Sequence, residues 1–358
     1  MKNFYSNKKV IVTGHTGFKG SWLTSWLKLM KAEVTGISID VPSNPNHFEV
    51  ANICDGIEDC RIDIREIAAL SKKILEIKPD FIFHLAAQPI VSLSYEDPLE
   101  TWKTNLIGTI NILESMKKLE NKCSGVIITS DKCYDNVEWE WGYKETDSLG
   151  GSDPYSASKG AAEIAIKSYV NSFFSNQENL INISSARAGN VIGGGDWAEN
   201  RIIPDCIKSW SNNKRVILRN PESTRPWQHV LEPIGGYLKL GALLSINPKL
   251  HGEAFNFGPL PKQNYSVLDL VKEMSLSWEK VSWEIMEEKD TNYYESSLLK
   301  LNCDKALHHL GWQSILNFKE TVDLTVNWYK AFHENPDGIE KITTDQINFY
   351  SKKMKKLM

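Results

Sequence analysis

The chain lacks the patterns that mark several large protein classes. Its six cysteines, Cys54, Cys60, Cys123, Cys133, Cys206 and Cys303, include no Cys-x-x-Cys pair. Scattered thiols of this kind suit a reducing compartment better than a disulfide framework. Its eight histidines show no His-Glu-x-x-His or other ligand spacing, so neither a structural nor a catalytic metal is expected. There is no charged-then-apolar leader and no apolar run long enough to cross a bilayer, and a cytoplasmic location is expected. A formal charge of -4 gives no electrostatic footprint for nucleic acid or an anionic membrane surface. Repeats and low-complexity tracts are absent as well. What remains is a chain of 358 residues, 41% hydrophobic, with ample material for a core.

Near the N-terminus, Val10-Ile-Val-Thr-Gly-His-Thr-Gly-Phe-Lys-Gly20 reads as a short buried strand running through glycines into a helix from Ser21 to Met30. Gly14, Gly17 and Gly20 follow a Gly-x-x-Gly-x-x-Gly spacing. Gly14 permits the tight turn, Gly17 lets backbone approach a pyrophosphate, and Gly20 allows close helix–sheet packing, with the helix N-terminus facing the anion. A second strand, Val34 to Ile39, ends in Asp40, twenty residues past Gly20. A carboxylate there binds adenosine ribose hydroxyls and repels a 2′-phosphate, which favours NAD over NADP; the other reading is a solvated strand-end charge. His15 and Lys19 add positive charge near the phosphates.

Farther along, the apolar run from Gly125 to Thr129 reads as a buried parallel strand, so Ser130, Asp131 and Lys132 fall at its carboxyl end, the ligand edge of an open α/β sheet. Tyr155 and Lys159 stand at i and i+4 in a helix opened by Asp153 as N-cap and Pro154 at the first helical position. A lysine one turn from a tyrosine lowers the phenol's pKa and makes it a general base for alcohol oxidation. Taken alone, Tyr-x-x-x-Lys is more often a surface pair. The glycine loop gives it another meaning.

Strand-like runs alternate with helical ones: Val10–Thr13, Val34–Ile39, Phe81–Leu85, Val126–Thr129 and Ile181–Ala186, with helices around Ser21–Met30, Ile64–Lys78, Pro98–Lys118 and Pro154–Phe174. This alternation specifies an α/β fold with a doubly wound parallel sheet of the Rossmann type. Residues 1–188 form the expected NAD-binding domain, with a return segment at about 230–260. Residues 189–358 form a smaller, interleaved substrate-binding domain. The lysine-rich stretch from Thr343 to Met358 reads as a surface helix or frayed tail.

The motifs His84-Leu-Ala-Ala-Gln-Pro89, Thr104-Asn-Leu-Ile-Gly-Thr109, Thr129-Ser-Asp-Lys-Cys-Tyr134, Tyr155-Ser-Ala-Ser-Lys159, Arg187 to Arg201 and Arg225-Pro-Trp-Gln-His-Val230 carry a family likeness over most of residues 8 to 330. The chain resembles the extended short-chain dehydrogenases/reductases that act on nucleotide sugars, and among them the CDP-glucose 4,6-dehydratase branch. Most 4,6-dehydratases carry Asp-Glu after the Ser/Thr; the order Asp131-Lys132 here resembles that branch, as does Trp139-Glu-Trp-Gly-Tyr-Lys-Glu145.

The resemblance implies that Ser130, Tyr155 and Lys159 form a redox triad. It implies that Ala86, Ala87 and Gln88 line the nicotinamide side, that Asp63 and Ile64 meet adenine, and that Thr16, Phe18, Leu85, Asn105 and Thr129 complete the NAD site. Gln88 and Ser130 also face the substrate, and Asn190 lies near its diphosphate. Arg201, Arg219 and Arg225 are expected to bind phosphate, since arginine's planar fork matches phosphate oxygens. Trp197 and Trp227 either stack on base or sugar or pack in the core. A homodimer or dimer of dimers is implied, with helices Pro98–Lys118 and Pro154–Phe174 packing between subunits.

The implied reaction starts with Tyr155 taking the proton of the sugar 4-hydroxyl while hydride leaves C4. The resulting ketone acidifies the C5 proton, and loss of the 6-hydroxyl then needs an acid and a base. Asp131 is the acid and Lys132 the base, provided its pKa falls; the alternative is an ion pair between the two. Return of hydride to C6 gives a 4-keto-6-deoxy sugar for deoxysugar biosynthesis of the lipopolysaccharide O-antigen kind. A 4-epimerase, a 4,6-dehydratase using another nucleotide sugar, and a non-catalytic NAD-sensing or scaffold protein remain open alternatives.

Overall fold

Val10, Val12, Phe81, Phe83, Val126 and Ile128 point into one apolar layer, while Ile11, Ile82 and Ile127, their immediate neighbours in sequence, point into the opposite one. Strands buried on both faces are the mark of a parallel sheet covered by helices on either side. Burial of each such side chain stabilises the fold by about 1.5–3 kcal/mol. The computed structural model describes residues 2–175, 180–286 and 298–356.

The sheet comprises β1 (Lys9–Thr13), β2 (Glu33–Ser38), β3 (Glu58–Arg61), β4 (Phe81–His84), β5 (Cys123–Ile128), β6 (Ile181–Ala188) and β7 (Ala254–Phe257). They lie in the order β7-β6-β5-β4-β1-β2-β3, all parallel. The strand order reverses at β1, so the loops after β1 and β4 diverge and open a crevice at the carboxyl edge. Helices α1 (Phe18–Leu29), α5 (Leu231–Leu244), α6 (Phe318–Glu334) and α7 (Ile339–Lys356) cover one face, and α2 (Ile67–Ile77), α3 (Gly108–Met116) and α4 (Pro154–Phe173) the other.

The parallel α/β architecture agrees with expectation, and several local features differ. β3 had no sequence signal, because its Glu-Asp-Cys-Arg side chains are largely outward; it exists because Thr35 to Ser38 offer a free ladder edge. The expected helix Pro98–Lys118 is three pieces, Pro98–Trp102, a π-helical turn Lys103–Ile107 and α3. The segment 231–244, expected to return to the sheet, is a helix, and Ala254–Phe257 alone joins it. The C-terminal stretch is no frayed tail: Thr343, Gln346, Ile347, Tyr350 and Met354 of α7 are buried. Its lysines occupy the outer face.

Candidate active site

The glycine loop shows why its residues are small. Gly14 has φ of 72°, and a Cβ there would come within 2.7 Å of the Ala86 nitrogen. At Gly20 a Cβ would overlap the Gly14 carbonyl, so α1 could not seat against the loop. Gly17 is different: apart from the Gly14 carbonyl at 3.4 Å, its Cβ position faces open space, at the N-terminus of α1. Backbone N–H groups at such an end attract an anion.

Thr13 at the end of β1 ties this loop to the end of β4. Its Oγ1 accepts from the N–H groups of Leu85 and Ala86, both at 3.2 Å, and contacts His84 Nδ1 at 2.7 Å. His84 Nε2 meets Thr109 Oγ1 at 3.1 Å, and Thr109 donates to the Asn105 carbonyl. Burial pushes the His84 imidazole down to about 3, so it stays neutral. Asn105 lies in the π-helical turn, where its amide accepts from Gln88 N at 2.8 Å and donates to the Gln88 carbonyl and Ser158 Oγ. Ser158 in turn donates to the Tyr155 carbonyl. The β4 loop and the Tyr155 helix are thereby fastened together.

Ser130 caps a short turn, Asp131–Cys133: its Oγ accepts from Lys132 N at 3.2 Å and donates to Asp131 Oδ1 at 3.0 Å. A Cβ on Gly189 would overlap the Asp131 carboxylate, so the glycine makes room for the acid. Asp153 accepts from Ser156 N at 2.9 Å and Pro154 opens α4, as the sequence indicates, leaving Tyr155 and Lys159 buried on one face. Burial pushes the Tyr155 phenol up to about 12; the Ser130 hydroxyl opposes this and Asp131 reinforces it. Burial lowers Lys159 to about 8, helped by the positive charge of Lys19. In the protein alone, then, burial outweighs the help that Lys159 was expected to give the phenolate.

Lys19 stands in the same field. Burial and Arg201 lower it to about 8, while Asp131 and Asp196 pull it up. Arg201 is held by Asp196 at 2.8 Å, which keeps the guanidinium charged, and its charge reaches Tyr155. Ser130, Asp131, Tyr155, Lys159, Lys19 and Arg201 therefore share one electrostatic site. Lys132 lines a narrow cleft with Tyr134, Asn136, Asp153, Ser156 and Leu299, and its ammonium has no hydrogen-bond or ion-pair partner among the described residues.

His15 contacts Ser38 Oγ and Asp59 Oδ1, and burial lowers its pKa. Both ring nitrogens are thus taken, and it offers no free charge to a phosphate. Thr16 donates to the Asp40 carbonyl, and the Asp40 side chain is exposed at the carboxyl end of β2. Phe18 faces Gly193 across the loop. The Asp63 carboxylate is clamped by Arg65, which holds it below the usual range, and Ile64 is buried against Gly108. Ala86 and Ala87 are partly exposed after β4. The Gln88 side-chain amide is engaged by Thr101 and by Ile90 N, so it is turned inward. Thr129 donates to Glu163 at 2.5 Å.

Asn190 adopts φ of 34° in the loop after β6. Arg219 acts on Asp205, and Arg225 lies in a two-residue strand paired with Tyr265 and Ser266. Half-buried Trp197 packs against the core through Trp328, Tyr329 and Phe332, and Trp227 is buried within it and donates to the Tyr265 carbonyl. Sequence reasoning missed Glu163, which lies one turn beyond Lys159. It accepts from Thr129, Ser185 and Arg187, the last at 2.8 Å, in a pair 4% exposed on each side. Continuing the i, i+4 spacing from Tyr155 and Lys159 would have found it. Among the described residues no His/Cys/Asp/Glu cluster could hold a metal ion, and no helix is long and apolar enough to cross a membrane.

Comparison with known proteins bears out the resemblance read from the motifs. The chain is 46% identical to the CDP-glucose 4,6-dehydratase of Salmonella typhimurium over 340 residues, 94% of each chain. It is 24% identical to the UDP-glucose 4-epimerase of Mycoplasma pneumoniae, over 92% of this chain and 98% of that one. Among solved structures, a UDP-glucose-4-epimerase from Stenotrophomonas maltophila with bound NAD superposes with a TM-score of 0.78 at 21% identity, covering 91% of this chain and 99% of that one. A UDP-glucuronic acid 4-epimerase from Bacillus cereus, in complex with UDP-glucuronic acid and NAD, gives 0.76 at 21% identity, covering 90% and 99%. Residues 11–325 match the GDP-mannose 4,6 dehydratase family. With a match over that span and a relative this similar along nearly its whole length, the chain belongs to the GDP-mannose 4,6 dehydratase family.

Proposed function

We propose that the protein is an NAD-dependent CDP-glucose 4,6-dehydratase, converting CDP-glucose to CDP-4-dehydro-6-deoxy-D-glucose for deoxysugar biosynthesis. The observation that carries this reading is the joining of Asp131 to Ser130 at 3.0 Å beside Tyr155 and Lys159, in a chain 46% identical to an enzyme of that name. An epimerase needs the oxidising pair but no acid for loss of water.

The residues present fit NAD. Open space at Gly17 above the start of α1 suits the pyrophosphate, and the exposed Asp40 carboxylate at the β2 end suits the ribose hydroxyls. Leu85 to Gln88, Asn105, Asp63 and Ile64 would complete the site. When bound, NAD supplies the acceptor for the C4 hydride and its later donor to C6. Tyr155 takes the 4-hydroxyl proton, with Ser130 holding the same oxygen and Lys159 supporting the phenolate. Asp131 gives a proton to the departing 6-hydroxyl and Lys132 removes the C5 proton. Arg201, fixed by Asp196, meets the diphosphate of the substrate, and Asn190, Arg219 and Arg225 are its further contacts in this reading.

Residues 189–358 make up the substrate-binding portion in this reading, apart from the return at about 230–260 and from α6 and α7, which cover the sheet. The protein acts as a homodimer or dimer of dimers in the cytoplasm. Exposed Leu99, Ile107 and Ile164 lie on helices that pack against one another and offer apolar surface that a second copy would cover.

Incubation with NAD and CDP-glucose tests the function. A 4-keto-6-deoxy product develops ultraviolet absorbance in alkali and is the expected result. Epimerised CDP-sugar without that product, or no turnover, refutes the reading.

A further inference from the structure

Thr343 of α7 sits in the middle of a buried, directed chain of hydrogen bonds. The Trp328 indole N–H donates to Thr343 Oγ1 at 3.1 Å, and Thr343 Oγ1 lies 3.1 Å from His47 Nε2. His47 Nδ1 lies 2.8 Å from Ser21 Oγ, and Ser21 donates to the Phe18 carbonyl at 2.9 Å. Because the one Ser21 proton goes to that carbonyl, His47 must carry its own proton on Nδ1 and accept at Nε2 from the Thr343 hydroxyl. Every proton in the chain then has one assignment, running from Trp328 through Thr343 and His47 to Ser21 and Phe18. Ser21, His47, Trp328 and Thr343 are at most 2% exposed.

Both ends of this chain reach loops that matter. Phe18 opens α1 directly after Gly17 of the glycine loop. On the other side, the His47 ring stacks on Trp22 at 4.7 Å, and the Trp22 indole donates to the Gly194 carbonyl at 2.9 Å. Tyr329, next to Trp328, donates to the Asp196 carbonyl, and Asp196 holds Arg201. Valine at 343 would bury equally well. A row of polar groups in an apolar core costs stability unless all are paired, and when paired it specifies one arrangement.

We propose that Thr343 and His47 are positioning residues through which the C-terminal helix holds the glycine loop and the 193–201 loop in register for binding. This rests on the reading of those loops as the NAD and nucleotide-sugar sites. Losing the Thr343 hydroxyl strands two buried partners and lets both loops relax, so each ligand must reorder them on binding.

The test is Thr343→Val beside Thr343→Ser, in the full chain. NAD dissociation constants are measured by calorimetry without substrate, and KM and kcat with CDP-glucose. Thr343→Val is expected to weaken NAD binding and raise KM, each about three- to tenfold, with kcat changed by less than about twofold; Thr343→Ser restores both. A lower melting temperature with NAD affinity and KM unchanged overturns the proposal and leaves Thr343 a packing residue. If Thr343→Val does not fold, Ser21→Ala breaks the same chain at its other end, and unchanged NAD affinity there overturns it equally. Since NAD binding is read without turnover, an inactive wild type would sink the dehydratase reading alone.

Discussion

Glu232 gives the sharpest stability prediction. Fully buried near the start of α5, its Oε1 accepts from Ser314 Oγ at 3.1 Å, Ile315 N at 2.8 Å and Leu316 N at 2.6 Å, and its Oε2 accepts from Tyr350 at 2.7 Å. Burial raises this carboxyl from 4.5 to about 7, against the pull of those donors. The folded-state value lies above the unfolded one, so the folded protein holds the proton more tightly. The stability contribution is fully present below about pH 4.5 and is lost as pH rises through about 7. The total is about 3 kcal/mol. Glu232→Gln cannot ionise, yet keeps an oxygen for the three donors on the 314–316 segment and offers an N–H to the Tyr350 oxygen. Unfolding in urea at about pH 5 and about pH 8 should therefore show Glu232→Gln gaining about 2.5 kcal/mol on the wild type between them. His47, His84 and His229, each lowered to about 3, also make stability vary with pH, but they are common to both proteins and cancel in the difference. A difference that stays flat across this range refutes the reasoning. Glu232→Ala, which strands four donors, should cost about 4 kcal/mol or more at either pH.

Tyr155→Phe removes the oxidising base while preserving the ring; turnover should fall by a factor of about 10² to 10⁴ with NAD binding kept, and near-normal turnover of CDP-glucose would reject the assignment. Lys132→Met leaves Tyr155 and Lys159 in place, so oxidation continues while C5 deprotonation lags: in deuterated solvent, deuterium incorporation at C5 should slow and NADH should accumulate at steady state. Product formed at the wild-type rate with normal C5 exchange would show that another group is the base. Light scattering at micromolar concentration should give at least twice the chain mass of 40.6 kDa, and a monomer mass would remove the case for an intersubunit helix face.

Much of the fold was legible because its signals are local and repeated. Val10 to Thr13, the glycine spacing, and the Asp153-Pro154 start of the Tyr155 helix each declare their conformation within a few residues, through burial pattern, φ requirement or capping chemistry. The β3 edge strand was not legible, since its residues are held by a neighbour's free hydrogen-bonding edge rather than by their own apolar pattern. The C-terminal stretch was read as a surface helix or a frayed tail; it is a helix, and its buried side was hidden for a related reason. Lysines spread along its sequence hide a buried stripe that has meaning only once α1, α5 and α6 supply the other side.

By itself the sequence picked out Ser130, Asp131, Tyr155 and Lys159 as candidates for chemistry, because a phenol, an amine, a hydroxyl and an acid are recognised by type and spacing. Tertiary structure alone decided their protonation and their company. Burial moves Tyr155 up to about 12 and Lys159 down to about 8, and Lys19 and Arg201 enter the same field from segments far apart in the chain. His15 and Gln88, polar groups the sequence offered to ligands, are instead engaged within the fold. A pKa depends on how much water and which charges surround a group, and a hydrogen bond on which partner the fold brings within reach; both are properties of packing that no local pattern encodes.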